Sequence, residues 1–262
     1  MDIGTGKDLE EYRIKNKNIP YHLIDILTPN EDYSVFHFQK DFIKIYDKVL
    51  KNKSLPILCG GTGLYIESIL LNYKMNIVKP NYEFRKELEK ENHKELIKKL
   101  KSINLNLHNT TDLSSKKRTI RAIEIASNKE NSKFEEVKIQ NYNYCVLGIA
   151  PDRKITRNRI TIRLKNRLKE GMVEEVEELL SNGLSIDRLE YFGLEYKFIG
   201  KFLSGDLNYN DMFQKLNTAI HQFSKRQMTF FRRMEKRGIK INWINDSNYK
   251  YAKSILAKYF QE

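Results

Sequence analysis

Residues 56–70 read PILCGGTGLYIESIL: an apolar run, a glycine-rich turn, then apolar residues returning at helical spacing. Leu55 to Cys59 predicts a short buried strand, with Pro56 near its start and Gly60 at its end, and Leu64 to Leu71 predicts a helix. Strand, glycine turn and helix form the unit from which ligand-binding α/β sheets are built, and ligands sit at the carboxyl ends of their strands. Thr62 therefore falls at a candidate site. A Walker-type phosphate loop sets its glycines ahead of Lys-Ser/Thr. Here Gly60, Gly61, Thr62 and Gly63 run straight into Leu64 and Tyr65, so this turn is of another kind. Read alone, it suits a close helix–strand packing turn as well as a ligand site.

Outward from this unit, Val35, Phe38, Phe42, Ile45, Tyr46 and Val49 recur at helical spacing behind Ser34, which predicts an amphipathic helix over 35–52 capped by that serine. From about Asn76 the composition turns to EFRKELEKENHKELIKKLKS, charged and helix-prone, with a thin apolar stripe of Leu88, Leu96, Ile97 and Leu100. SSKKRTIRAIEIAS predicts a further helix packing through Ile120, Ile123 and Ile125. These segments read as a helical insertion, 76–142, between core segments 1–75 and 143–262. The core resumes with an apolar strand at 144–150, ended by Pro151. A helix over 156–181 follows with Gly171 inside it, then one over 209–235 with Met212, Leu216, Ile220 and Phe223 inward. A last strand is expected at 239–243, and Ser247 is the expected cap of a C-terminal helix.

The chain of 262 residues is 40% hydrophobic and 31% charged, and none of its apolar runs approaches the ~18 residues of a membrane span. Its opening MDIGTGKDLEEY has no leader-like apolar region, so a soluble, cytoplasmic protein is expected. Cys59 and Cys145, each in an apolar run, read as two buried thiols. The five histidines show no metal-ligand spacing, and Asp25 and Asp152, the best-placed acids, read first as ion-pair partners. The net charge of +13 is concentrated. Residues 153–169 hold eight Lys or Arg and no acid, and residues 225–240 hold seven against Glu235 alone. One-signed clusters point to a polyanionic partner, nucleic acid or a phosphorylated substrate. In the 156–181 helix, bases fill the first half and acids the second, against the helix dipole, an arrangement that suits an anion bound at its start.

Seven segments, in order, carry a resemblance: MDIGTGK (1–7), IPYHLIDIL (19–27), YSVFHFQKD (33–41), PILCGGTGLYIESIL (56–70), KKRTIRAIE (116–124), GIAPDR with the following basic helix (148–163), and AIHQFSKRQMTFFRR (219–233). The chain resembles the tRNA dimethylallyltransferase family. The resemblance implies an α/β fold with a P-loop NTPase-like parallel sheet core and a helical tRNA-binding insertion. It implies transfer of a dimethylallyl group from dimethylallyl diphosphate to N6 of the adenosine immediately 3' of the anticodon, in tRNAs reading codons that start with U. It implies Mg2+ on the diphosphate, a tRNA anticodon stem-loop as partner, and a bacterial monomer. Thr62 matches the family threonine where adenine meets the prenyl donor, and Gly60, Gly61 and Gly63 line that channel. Arg85, Lys117, Arg118 and Arg121 match tRNA-contacting positions of the insertion, and Gln222, Lys225, Arg226 and Gln227 those of a tRNA-contacting helix. Arg153, Arg159 and Arg163 match a basic helix meeting diphosphate or RNA phosphate.

The chain also departs from the family pattern. The resemblance places a first strand, a phosphate loop and an aspartate general base ahead of Met1, so a functional protein roughly 40 residues longer is expected. The alternative is a catalytically inactive tRNA-binding remnant. Leu194 stands where the family has tyrosine, Arg167 where it has an apolar residue, and neither cysteine belongs to a zinc finger.

Overall fold

The computed structural model describes residues 1–75, 78, 80–103, 113–128, 143–246 and 248–260. Contacts divide the chain into two compact units, Met1–Asn72 with Ile139–Glu262, and Tyr73–Lys138, against the 76–142 of the sequence reading.

The first unit opens with a single 3-10 turn, Leu9–Tyr12, and a hairpin of two-residue strands, β1 (Arg13–Ile14) and β2 (Lys17–Asn18). Lys15 and Asn16 both take positive φ, 45° and 63°, as a two-residue hairpin loop demands. Helix α1 (Val35–Lys51) is capped as expected: the Ser34 hydroxyl accepts from the His37 amide while the His37 ring meets the Ser34 N–H. It buries Phe38 and Gln39, and Gln39 Nε2 donates to Ser68 O at 2.8 Å, tying α1 to α2 (Gly63–Leu70).

The run before α2 differs from expectation. Residues 55–59 form no strand, and Leu55 and Ile57 are 60% and 82% exposed. A strand exists only through a neighbour's N–H and C=O groups. The parallel pair among the described residues is β3 (Val146–Ile149) with β4 (Ile241–Ile244), in register from Val146↔Ile241 to Ile149↔Ile244. Cys59 is accordingly exposed and Cys145 half-buried, correcting the expectation of two buried thiols.

Between β3 and β4 run α6 (Arg153–Lys169), α7 (Met172–Ser181), α8 (Ile186–Tyr191), α9 (Leu194–Leu203) and α10 (Tyr209–Lys236), and α11 (Tyr249–Tyr259) follows β4. The helix expected over 156–181 is two helices. Gly171 sits between them at φ 100°, a left-handed conformation that ends the first and starts the second. The break alters the dipole argument. Glu174 and Glu175 lie in the first turn of α7, where acids are favourable, and the opposing charge order persists only at the start of α6. The core of this unit gathers Leu164, Met172, Val176, Leu189, Tyr196, Ile199, Met212 and Leu216, and Leu194 packs against it as an apolar residue can. Phe223, expected inward, is 44% exposed, while Ile220 packs against this core as expected. Ser247 lies outside the described residues, and the Asn248 side chain caps α11 by accepting from the Tyr251 amide.

The second unit is a helical trio: α3 (Tyr82–Glu89), α4 (His93–Ile103) and α5 (Lys116–Ser127). Leu88, Leu96, Leu100, Ile120 and Ile123 form its core, and Ile97 and Ile125 lie at the margin, half-buried. Asn81 caps α3 and Ser115 caps α5.

Candidate active site and nucleic-acid interface

Thr62 occupies the N-cap of α2 in an exposed position, and its side chain makes no cap hydrogen bond. A threonine there ordinarily spends its hydroxyl on the first turn; this one is left to meet something else. The turn is held from α10. Gln227 Nε2 donates to Gly61 O at 3.1 Å. A Cβ on Gly63 would lie 2.3 Å from the Phe230 ring, so that glycine is required for the helices to approach. Gly60, by contrast, has open space around it. Gly63→Ala is expected to cost about 1–3 kcal/mol by overpacking and to displace the turn, read as a lowered urea midpoint.

Below the turn, Glu67 is fully buried and receives Arg233 at 2.7 Å and Arg237 at 3.0 Å, while the Arg233 guanidinium lies 4.0 Å from the Phe230 ring centre. Two of the cations in 225–240 are thus committed to a carboxylate, and Glu235 accepts from Trp243 Nε1 at 2.8 Å. Lys225, Arg226, Arg232, Lys236 and Lys240 remain exposed, as does Gln222.

The basic run of α6 divides similarly. Arg153 and Arg163 are exposed, with Lys154, Arg157, Lys165 and Lys169. Arg159 pairs with Asp246 at 2.8 Å. Arg167 is buried, pairs with Asp8 at 3.1 Å and lies flat against Gly6, whose φ of 63° a side chain would rarely adopt. The guanidinium thus fastens the N-terminal segment at Gly6 and Asp8. The same segment turns the amides of Asp2, Ile3 and Gly4 onto the Glu175 carboxylate, at 2.8 Å for Ile3 and 3.1 Å for Gly4. Tyr196 Oη also donates to it at 2.7 Å. Burial raises the Glu175 pKa, but the Tyr196 bond and the three amides outweigh it, leaving the carboxyl below its usual range. Asp25 is an ion-pair partner of Lys7, and Asp152 caps α6 by accepting from the Lys154 amide at 2.7 Å. His221 is engaged with the α6 carbonyl of Arg157 at 3.2 Å.

Within the second unit, Lys117 and Arg118 are exposed on α5. Arg85 and Arg121, grouped with them by the resemblance, both grip the buried Glu124, Arg85 at 2.8 Å, and Arg121 Nη2 also donates to Val78 O at 2.9 Å. Sequence reasoning passed over Glu67 and Glu124. The available signal was a lone carboxylate inside an otherwise apolar helical stretch, IESIL and AIEIA, which burial permits only when cations meet it.

The sequence profile of the IPP transferase family matches residues 1–234. The chain belongs to the IPP transferase family. Among similar relatives, tRNA dimethylallyltransferase 1 of Azobacteroides pseudotrichonymphae is 52% identical over 246 residues, covering 94% of this chain and 80% of that one. tRNA dimethylallyltransferase 2 of Bacteroides fragilis is 48% identical with the same coverage. Among solved structures, the tRNA isopentenylpyrophosphate transferase of Bacillus halodurans superposes with a TM-score of 0.66 at 26% identity, over 99% of this chain and 82% of that one. A eukaryotic dimethylallyltransferase acting on tRNA gives 0.71 at 18% identity over 99% of this chain and 69% of that one, a likeness of fold. The P-loop-like α/β class expected from sequence is the fold this IPP transferase family member shares with them.

Proposed function

We infer that this IPP transferase-family chain is a tRNA dimethylallyltransferase, a prenyltransferase acting on N6 of an adenosine in tRNA. One observation of the structure carries the reading: the exposed cations Lys225 and Arg226 lie on α10, the same helix that holds the exposed Thr62 turn through Gln227 and Phe230. A reacting turn and a polyanion-binding surface thus share one frame, as positioning a base of a bound RNA against a second substrate requires. The 52% identity to a tRNA dimethylallyltransferase supports the same reading, and the comparisons lend none to the inactive remnant.

In the transfer, the N6 lone pair forms a bond to the allylic carbon. The carbon–oxygen bond breaks, its electrons leave with diphosphate, and the proton that N6 gives up passes to the departing diphosphate or to water. An amine within a stacked base cannot reach an allylic carbon, so the adenosine is flipped out. The uncommitted Thr62 hydroxyl accepts a hydrogen bond from the amine and aims it. Gly60, Gly61 and Gly63 bring backbone close to the prenyl donor. Arg153 and Arg163 meet diphosphate or RNA phosphate, with Arg159 joining them on release from Asp246, and such charges act where the leaving group's charge develops. Lys117, Arg118, Gln222, Lys225 and Arg226 bind the anticodon stem-loop. Among the described residues no three His, Cys, Asp or Glu side chains are grouped to hold a metal. In this reading Mg2+ arrives with the diphosphate substrate, whose phosphate oxygens and waters supply most of its ligands. The accompanying reading is a bacterial, cytoplasmic monomer with a nucleotide-binding type of core. Among the described residues no helix is long and apolar enough to cross a membrane.

The test is incubation with an unmodified anticodon stem-loop, dimethylallyl diphosphate and Mg2+, followed by mass spectrometry of the nuclease digest. One dimethylallyl group on the adenosine 3' of the anticodon is expected, and modification elsewhere or none overturns the reading. Stem-loop affinity should also fall on the order of 10²-fold between 50 and 200 mM salt for about four neutralised phosphates. A filter-binding titration that is flat in salt contradicts phosphate-led binding.

A further inference from the structure

We propose that Gln227 is a positioning residue that locks the Gly61–Thr62 peptide from behind, rather than a residue that touches tRNA. The proposal rests on the reading that the Thr62 turn is where the adenosine amine is met.

The face of α10 decides this. Gln227, Phe230 and Arg233 are spaced by three, so they form one row along the helix. That row lies along the turn and α2: Gln227 reaches Gly61, Phe230 abuts Gly63, and Arg233 holds Glu67. Successive helical residues are rotated by about 100°, so Arg226 and Lys225 point about 100° and 200° away from Gln227, and both are exposed. The Gln227 amide is therefore aimed at the turn while its neighbours are aimed at solvent. Contact is close enough that a Cβ on Gly61 would sit 2.6 Å from Gln227 Nε2.

The turn also needs such a restraint. The residues before it belong to no strand, and nothing lies within 4 Å of a would-be Cβ on Gly60. α2 fixes the peptides after Thr62, whose carbonyl accepts from the amides of Tyr65 and Ile66. The carbonyl before Thr62 is fixed by Gln227. Thr62 is thus pinned from both sides, one by its own helix and one by α10, which sets where its hydroxyl points.

The experiment compares Gln227→Met, which keeps length and helix propensity but removes the donor, with Gln227→Lys, which restores a donor, and with Arg226→Ala. Three quantities are read: the carbonyl 13C resonance of Gly61, which reports the hydrogen bond that this oxygen accepts, stem-loop affinity, and kcat against KM for prenyl transfer. Gln227→Met should move the Gly61 carbonyl resonance upfield, as loss of an accepted hydrogen bond does, and lower kcat, with stem-loop affinity within twofold of wild type. Gln227→Lys should return the resonance toward its wild-type position. Arg226→Ala should weaken stem-loop binding with the Gly61 resonance unchanged. If Gln227→Met weakens stem-loop binding as much as Arg226→Ala and leaves the Gly61 resonance in place, Gln227 is an RNA contact and the proposal is overturned. If the resonance responds but Thr62→Ala leaves kcat unchanged, Gln227 still locks the turn and it is the assignment of chemistry to Thr62 that fails.

Discussion

Glu124→Ala should destabilise the unit Tyr73–Lys138 by about 3 kcal/mol, near the low end for breaking a buried ion pair from one side. The Glu124 side chain is wholly buried, and it accepts from the Asn81 amide, from Arg85 and from Arg121. Removing it strands two guanidiniums. Their side chains are 27% and 37% exposed, so water recovers part of the loss, which is why the expected figure is not larger. The same network makes the unit acid-sensitive. Burial raises the Glu124 pKa, but the bonds from Arg85, Asn81 and Arg121 outweigh it and hold the carboxyl below its usual range. A carboxyl with a depressed folded pKa contributes its stability above the unfolded value of about 4.3. That contribution is lost as pH falls through the folded pKa. Urea unfolding followed by circular dichroism at pH 7 and in steps below pH 4.3 should show a loss of stability in wild type that is smaller in Glu124→Gln, where Glu175 and the other carboxyls still titrate. A Glu124→Ala protein within 1 kcal/mol of wild type would show that the arginines, not the carboxylate, organise the trio.

Thr62→Ala should lower kcat by about 10²-fold, the scale expected when a reacting group loses its aim by about 1 Å. tRNA affinity should stay within twofold. The residue is exposed and makes no cap hydrogen bond, so its loss leaves α2 unaltered and the effect is confined to the reaction. Arg226→Ala should behave in the opposite way, weakening tRNA binding by up to about tenfold through one lost phosphate contact with kcat retained. Single-turnover transfer with saturating stem-loop separates the two. Thr62→Ala indistinguishable from wild type there would remove the hydroxyl from the mechanism.

The difference between these predictions follows the difference between what local pattern and three-dimensional neighbourhood can say. Helix α1 was readable because its stripe repeats at 3.6 residues and Ser34 supplies a cap, both local properties. The strand expected at 55–59 was not secure, because a short apolar run has no period of its own to distinguish strand from unpaired chain and a ladder depends on a remote partner. The single helix expected over 156–181 failed at one residue: Gly171 could be a tolerated helical glycine or a left-handed hinge, and packing of α7 onto the core selected the hinge.

The sequence by itself determined the family, the more strongly periodic helices such as α1 and α5, the basic runs and the place of Thr62 at a glycine turn, since these are written in motif order, period and composition along neighbouring residues. Only the tertiary structure decided which cations are available to an anionic partner. Arg233 meets Glu67 across 166 positions and Arg167 meets Asp8 across 159, so their charges are matched by carboxylates of the fold, while Lys225, Arg226 and Arg163 stand at the surface. Charge is a property of the residue, but its availability depends on the nearest counter-charge in space, and that distance exists only once the chain has folded.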